Sequence, residues 1–118
     1  MSESAVGSQF PPALRIVPVE GPVDGVVELP GSKSITNRAL LIAALARGES
    51  VLDNALFCDD SLHLGRALRD LGVPVLEDES RGRIAVDGAG GPFSVSSGRF
   101  FLGNAGTSTR FLTAALTL

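Results

Sequence analysis

The stretch Gly31–Arg38, with the sequence GSKSITNR, runs directly into the apolar segment Ala39–Leu45. A second stretch, Gly103–Arg110 with the sequence GNAGTSTR, runs in the same way into Phe111–Leu116. Laid over each other, the two match at a glycine, at a hydroxyl residue and at an arginine. Each pattern predicts a short loop that begins an apolar helix, and we call them the first and the second opening.

Both openings indicate a site for anions. The first backbone N–H groups of a helix have no partner inside the helix, and the helix dipole there favours negative charge. The cations Lys33, Arg38 and Arg110 lie within the two openings. Two ordinary capped helices would show the same residue types, because Ser, Thr and Asn are common caps. The residue pattern alone therefore leaves anion binding and simple capping both open.

Composition narrows the class of protein. The chain has 118 residues, 44% of them hydrophobic, which suits one small folded domain. A net charge of −3 argues against a nucleic-acid or membrane partner. Cys58 is the only cysteine and His63 the only histidine, so no disulfide within the chain and no metal site are expected. We predict a cytoplasmic protein, since the N-terminus has no basic start followed by an apolar run.

The order of patterns along the chain predicts a mixed α/β fold whose plan begins again near residue 100. Residues 1–13 are expected to be a flexible tail. The apolar run at 39–46 predicts an enclosed helix, and the chain ends at Leu118 inside an apolar helical pattern, as a piece of a longer protein would. The predicted elements are strands over 15–19 and 23–29, a helix over 34–47, a strand over 51–56, a helix over 61–71 capped by Asp59-Asp60, strands over 73–76, 84–86 and 99–102, and a helix after the second opening.

Specific motifs resemble those of one enzyme family. LPGSKS at Leu29–Ser34, followed by NRAL at Asn37–Leu40, resembles the substrate loop of the 5-enolpyruvylshikimate-3-phosphate synthases. LGNAGT at Leu102–Thr107, with Arg110, resembles their second signature. The resemblance covers about residues 15–118 and departs at Phe111, where the family often has proline. The related UDP-N-acetylglucosamine enolpyruvyl transferases share the fold but normally carry Lys-Asn where this chain has Lys33-Ser34.

The resemblance implies a fold and a domain plan. The enolpyruvyl transferase fold consists of repeated βαβαββ units in two domains, with helices inside and sheets outside. By that plan, residues 14–30 form a strand segment that belongs to the other domain. Residues 31–118 hold the first unit and the start of the second, and so form an incomplete domain.

The resemblance also implies an activity and its residues. The enzyme would transfer the enolpyruvyl group of phosphoenolpyruvate to the 5-hydroxyl of shikimate 3-phosphate in aromatic amino acid biosynthesis, without a cofactor, and would be the target of glyphosate. Three groups of residues follow by motif match: Lys33, Ser34 and Arg38 for shikimate 3-phosphate; Lys33 and Gly106 for phosphoenolpyruvate; Asn104, Thr107 and Arg110 as loop support. No catalytic residue is assigned, because the family's proton-transfer groups lie in a second domain. We therefore expect the 118 residues alone to be inactive and to require the remainder of the enzyme.

The same residues suggest three other interpretations. A nucleotide P-loop fails on spacing, because Ser32 separates Gly31 from Lys33. The pair Asp59-Asp60 could be acid–base carboxylates, but an amphipathic helix follows directly and favours a helix cap. A non-catalytic fragment that binds phosphate remains an alternative from sequence.

Overall fold

The computed structural model describes residues 11–118, and its architecture confirms the α/β class. From residue 31 onward the order is helix, strand, helix, strand, strand, helix, which is the predicted order without its strand over 99–102. A three-stranded antiparallel sheet has the order β1-β3-β2. The elements are α1 (Lys33–Leu45), β1 (Arg47–Leu52), α2 (Asp59–Asp70), β2 (Val75–Asp78), a 3-10 turn (Glu79–Arg81), β3 (Arg83–Ala89) and α3 (Gly106–Ala115).

The core lies between the sheet and the helices. On β3, Ile84 and Val86 are buried while Asp87 is exposed, the alternation of a strand with one face toward a core. On α2, Leu64, Leu68 and other apolar side chains recur at helical spacing and are buried. The same cluster includes residues of α1 and α3, so the helices that follow the two openings share one core.

Within residues 11–118, the predicted enclosure of the apolar helix is found on only one side of α1. Leu40 and Ala44 are fully buried, as expected. On another side, Ile35 and Ile42 are 69% and 68% exposed, because no element among residues 11–118 packs over them. The exposed side borders an apolar groove between α1 and α3, lined by residues that include Leu41, Ile42, Leu45, Phe111 and Ala114.

No strand forms at three of the predicted positions, 15–19, 23–29 and 99–102. A strand needs a neighbouring backbone for its hydrogen bonds, and within the described part of the chain these segments have none. The apolar side chains of the first two are highly exposed, up to 96% at Val26. Residues 11–13 are irregular, and the rest of the predicted tail, 1–10, lies outside the described residues.

Pairing in the sheet shifts the predicted spans of all three strands, and β2, predicted over 73–76, runs over Val75–Asp78. β1 was predicted over 51–56 but runs over Arg47–Leu52, because Arg47 pairs with Ala89 and Leu52 with Ile84 on β3. β3 runs over Arg83–Ala89, so it extends past the predicted 84–86 and through Gly88. A side chain at Gly88 would collide with the Ala46 carbonyl group, so glycine is needed where β3 passes the end of α1. None of the helices in residues 11–118 is long and apolar enough to cross a bilayer.

Candidate anion-binding site

The first opening is fixed in place by the loop that follows β1. Ser32 is the N-cap of α1, and its Oγ accepts a hydrogen bond from the Ile35 N–H at 3.4 Å. Thr36 Oγ1 accepts a hydrogen bond from the Leu56 N–H at 3.0 Å. A side chain at Gly31 would meet the Asn54 carbonyl oxygen and would lie 2.8 Å from the Leu56 nitrogen. The glycine of the first opening is therefore required by a close approach of two backbones.

Lys33 is the first residue of α1 and forms an ion pair. Its Nζ lies 3.1 Å from Asp60 Oδ2, with the lysine side chain 55% exposed and the aspartate 22%. The helix dipole disfavours a cation at the start of a helix, and a neighbouring carboxylate offsets that penalty. The pair holds the ammonium group at the mouth of the first opening, where it stays accessible to a ligand.

Asp59 and Asp60 are not the cap of α2, so that interpretation is wrong in detail. The N-cap is Cys58, whose N–H donates to Ser61 Oγ at 3.0 Å. The two aspartates occupy the first turn of the helix, where the dipole favours negative charge. The ion pair with Lys33 could not be inferred from sequence, because 27 positions separate the partners and only the packing of α1 on α2 brings them together.

Ser34 and Arg38 lie one turn apart on the exposed side of α1. Arg38 Nη1 donates to the Ser34 carbonyl oxygen at 2.9 Å. The centre of its guanidinium group lies 5.2 Å from the centroid of the Phe111 ring on α3. None of the acidic side chains in residues 11–118 pairs with Arg38, so its charge is open to an incoming anion.

The second opening presents its backbone in a different way. Gly103 has a positive φ of 57°, which favours glycine, and the Gly106 N–H donates to the Asn104 carbonyl oxygen at 2.9 Å. α3 begins at Gly106, and its N-cap, Ala105, provides no side-chain hydrogen bond to the first turn. The N–H groups of Thr107 and Ser108 in the first turn thus have no capping side chain, as at helix starts that bind anions.

Gly106 faces open space, and the residues predicted to support the second opening lie near it in sequence. A Cβ built at Gly106 meets no atom within 4 Å. Thr107 is half-buried, whereas Asn104 and Arg110 are exposed. Among the described residues, no group of three or more His, Cys, Asp or Glu side chains could hold a metal ion.

His63 contacts the second opening, and no motif in the sequence indicated this contact. Its ring is half-buried and packs edge-on against Phe101, with centroids 5.1 Å apart and planes at 85°. A side chain at Gly103 would lie 3.1 Å from His63 Cδ2. No sequence signal links residues 40 positions apart in this way, so only the structure could show the contact.

The fold thus brings both openings onto one unit, through the packing of α1 on α3 and the contact between Arg38 and Phe111. The family model for EPSP synthase (3-phosphoshikimate 1-carboxyvinyltransferase) matches residues 17–118. The chain belongs to the EPSP synthase family. This confirms the resemblance that the motifs of the two openings indicated.

Curated relatives named 3-phosphoshikimate 1-carboxyvinyltransferase agree with this membership. One from Escherichia coli O1:K1 is 54% identical over 97 residues, which are 81% of this chain and 23% of that protein. One from Trichormus variabilis is 47% identical over 105 residues, 89% of this chain and 25% of that protein. The chloroplastic protein 1 of Nicotiana tabacum is 44% identical over 123 residues, 100% of this chain and 24% of that protein. The chain spans about a quarter of the length of these EPSP synthases.

Solved EPSP synthase structures share the fold described above. A structure of the enzyme from Acinetobacter baumannii matches with a TM-score of 0.65 and 28% identity, over 77% of this chain and 20% of that chain. A second structure of the enzyme from the same organism gives a TM-score of 0.66 over 77% of this chain and 21% of that chain. The described residues therefore form part of an α/β domain of the EPSP synthase fold.

Proposed function

We propose that the complete protein carrying this sequence transfers the enolpyruvyl group of phosphoenolpyruvate to the 5-hydroxyl of shikimate 3-phosphate, with release of phosphate. The observation that carries the proposal is the presence, in one EPSP synthase unit, of two helix openings with exposed cations and free N–H groups. Both substrates are strongly anionic. Cations and N–H donors fixed in advance stabilise such ligands and the charge that develops during their reaction.

On the first opening, Lys33 would contact both substrates, and Ser34 and Arg38 would bind shikimate 3-phosphate. The ion pair with Asp60 orients the ammonium group of Lys33 but leaves the lysine side chain exposed. Arg38 uses one N–H for the Ser34 carbonyl group, and a guanidinium has five N–H donors. The remaining donors suit the paired oxygens of a phosphate.

On the second opening, Gly106 and the N–H groups that follow it would hold phosphoenolpyruvate. The open space beside Gly106 and the uncapped first turn of α3 both support this. Asn104, Thr107 and Arg110 would shape the opening, and the hydrogen bond from the Gly106 N–H to the Asn104 carbonyl oxygen supports this role for Asn104. No residue of this chain is assigned the proton transfers.

The domain plan and the setting are part of the same proposal. Residues 14–30 would complete a sheet of the other domain, which agrees with their exposed apolar side chains. The rest of the enzyme would close the site over the two small-molecule substrates. We retain the predictions of a cytoplasmic enzyme that uses no cofactor and no nucleic-acid or membrane partner.

The direct test is phosphate release by the purified full-length protein from phosphoenolpyruvate and shikimate 3-phosphate. We expect turnover that requires both substrates, and none when UDP-N-acetylglucosamine replaces shikimate 3-phosphate. Turnover with the UDP-sugar would support the related transferase instead. Binding of shikimate 3-phosphate without turnover would support a non-catalytic anion-binding protein. The 118-residue chain alone should show no turnover.

A further inference from the structure

Phe111 joins the two openings at one point on the surface. It follows Arg110 directly and is the sixth of the ten residues of α3, with a relative exposure of 36%. Its ring faces the guanidinium group of Arg38 on α1 at 5.2 Å, within the range of a cation–π interaction. The residue that directly follows the second opening thus contacts Arg38, a residue of the first opening that is predicted to bind substrate.

Arg38 is held by two groups that leave most of its donors free. The Ser34 carbonyl oxygen accepts from Nη1, and the Phe111 ring lies against the guanidinium. An exposed arginine normally samples many rotamers and loses that freedom when it binds a ligand. The ring contact reduces the loss, because the free protein already restrains the guanidinium.

We infer that Phe111 is a positioning residue for shikimate 3-phosphate, acting through Arg38. The inference rests on the proposed function, since it takes Arg38 as a ligand of that substrate. Phe111 would act only through Arg38 and would not itself contact the substrate. Through this contact, α3, which begins at the second opening, would help to determine the affinity of the enzyme for shikimate 3-phosphate.

A purely structural role for Phe111 makes different predictions. The ring also borders the apolar groove between α1 and α3, where any large apolar side chain could pack. Leucine would preserve that packing but remove the π face. Tyrosine or tryptophan would restore the π face. Leucine and the aromatic residues at position 111 therefore distinguish a role in positioning Arg38 from a role in apolar packing.

The experiment compares Phe111→Leu, Phe111→Tyr and Phe111→Trp in the full-length enzyme. Calorimetric titration gives the Kd for shikimate 3-phosphate, and steady-state kinetics give kcat and the KM of each substrate. We expect Phe111→Leu to weaken shikimate 3-phosphate binding about three- to tenfold, with kcat and the KM of phosphoenolpyruvate changed less than about twofold. At least one aromatic variant should restore the affinity. Phe93→Leu, the same change at a half-buried phenylalanine away from both openings, should leave the Kd unchanged.

A double-mutant cycle isolates the contact. In an Arg38→Ala background, Phe111→Leu should have no further effect on shikimate 3-phosphate binding. Unchanged affinity in Phe111→Leu alone, an equal loss for both substrates, or the same loss in the Arg38→Ala background would each overturn the inference while the native enzyme remains active. A native enzyme that neither binds shikimate 3-phosphate nor turns over contradicts the proposed function, and the inference with it.

Discussion

Lys33 Nζ lies 3.1 Å from Asp60 Oδ2, so the first residue of α1 is paired with the second residue of α2. Without this pair, the side chains of Lys33 and Asp60 would each lie unpaired in solvent at the start of its own helix. The pair links the lysine proposed to contact both substrates to Asp60, which is less exposed than its neighbour Asp59. Asp60 thereby becomes a candidate for positioning the lysine rather than for capping its own helix.

Changing Asp60→Asn in the full-length enzyme tests this role. We expect kcat to fall about three- to tenfold, because a partly exposed ion pair contributes on the order of 1 kcal/mol. The KM values should change less, since loss of the negative charge also lessens repulsion of the anionic substrates. Asp59→Asn is the matched control, because Asp59 lies beside Asp60 but does not pair with Lys33. Unchanged kcat with lower KM would show that Asp60 acts only through its charge.

Lys33→Ala should impair the use of both substrates. Loss of a charge-assisted contact to a desolvated phosphate costs on the order of 2–4 kcal/mol of transition-state stabilisation. The melting temperature should change little, because the Lys33 side chain is 55% exposed. Steady-state kinetics with each substrate varied in turn provide the measurement. Values equal to those of the native enzyme for both substrates would remove Lys33 from the site.

Gly106→Ala should act on ligands rather than on the fold. The added methyl group meets no protein atom within 4 Å, so the melting temperature should stay the same. If glyphosate occupies the space beside Gly106, the methyl group will crowd the longer inhibitor more than phosphoenolpyruvate, and overpacking a close-fitting site costs about 1–3 kcal/mol. The inhibition constant should therefore rise more than KM. Equal inhibition of the two forms would place Gly106 outside the pocket.

Gly31→Ala should destabilise the fold, in contrast to Gly106→Ala. A methyl group there would meet the Asn54 carbonyl oxygen and the Leu56 nitrogen, which are backbone atoms and cannot move aside easily. We expect a lower melting temperature, with a loss on the order of 1–3 kcal/mol in stability. Gly106→Ala is the control, because nothing lies within 4 Å of that position. Equal melting temperatures of the two variants would mean that the loop after β1 can retreat.

Local signals in the sequence located the helices well. The first and second openings do begin α1 and α3, because small and hydroxyl residues followed by an apolar run determine a helix start within a few positions. The strands were placed less well. β1 is displaced from its predicted span because its register depends on pairing with β3, about 40 positions away. Residues 23–29 have an apolar strand pattern but no partner among the described residues.

The site was only partly accessible from sequence for a similar reason. Residues inside the two openings could be named, because motif and helix start coincide there. Asp60 and His63 both touch an opening, but they lie on α2 and reach it through tertiary packing. The contact of Phe111 with Arg38 likewise depends on how α1 crosses α3.

The two exposed isoleucines of α1, Ile35 and Ile42, have a consequence for folding cooperativity. Removing one such side chain from water contributes about 1.5–3 kcal/mol, and a typical domain is stable by only about 5–15 kcal/mol. Whatever covers this side of α1 in the full-length protein would therefore supply a large share of the helix's stability. We expect amide hydrogen exchange along α1 to slow when that cover is present. The exchange rate in α1 would then measure whether the surrounding elements have packed against it.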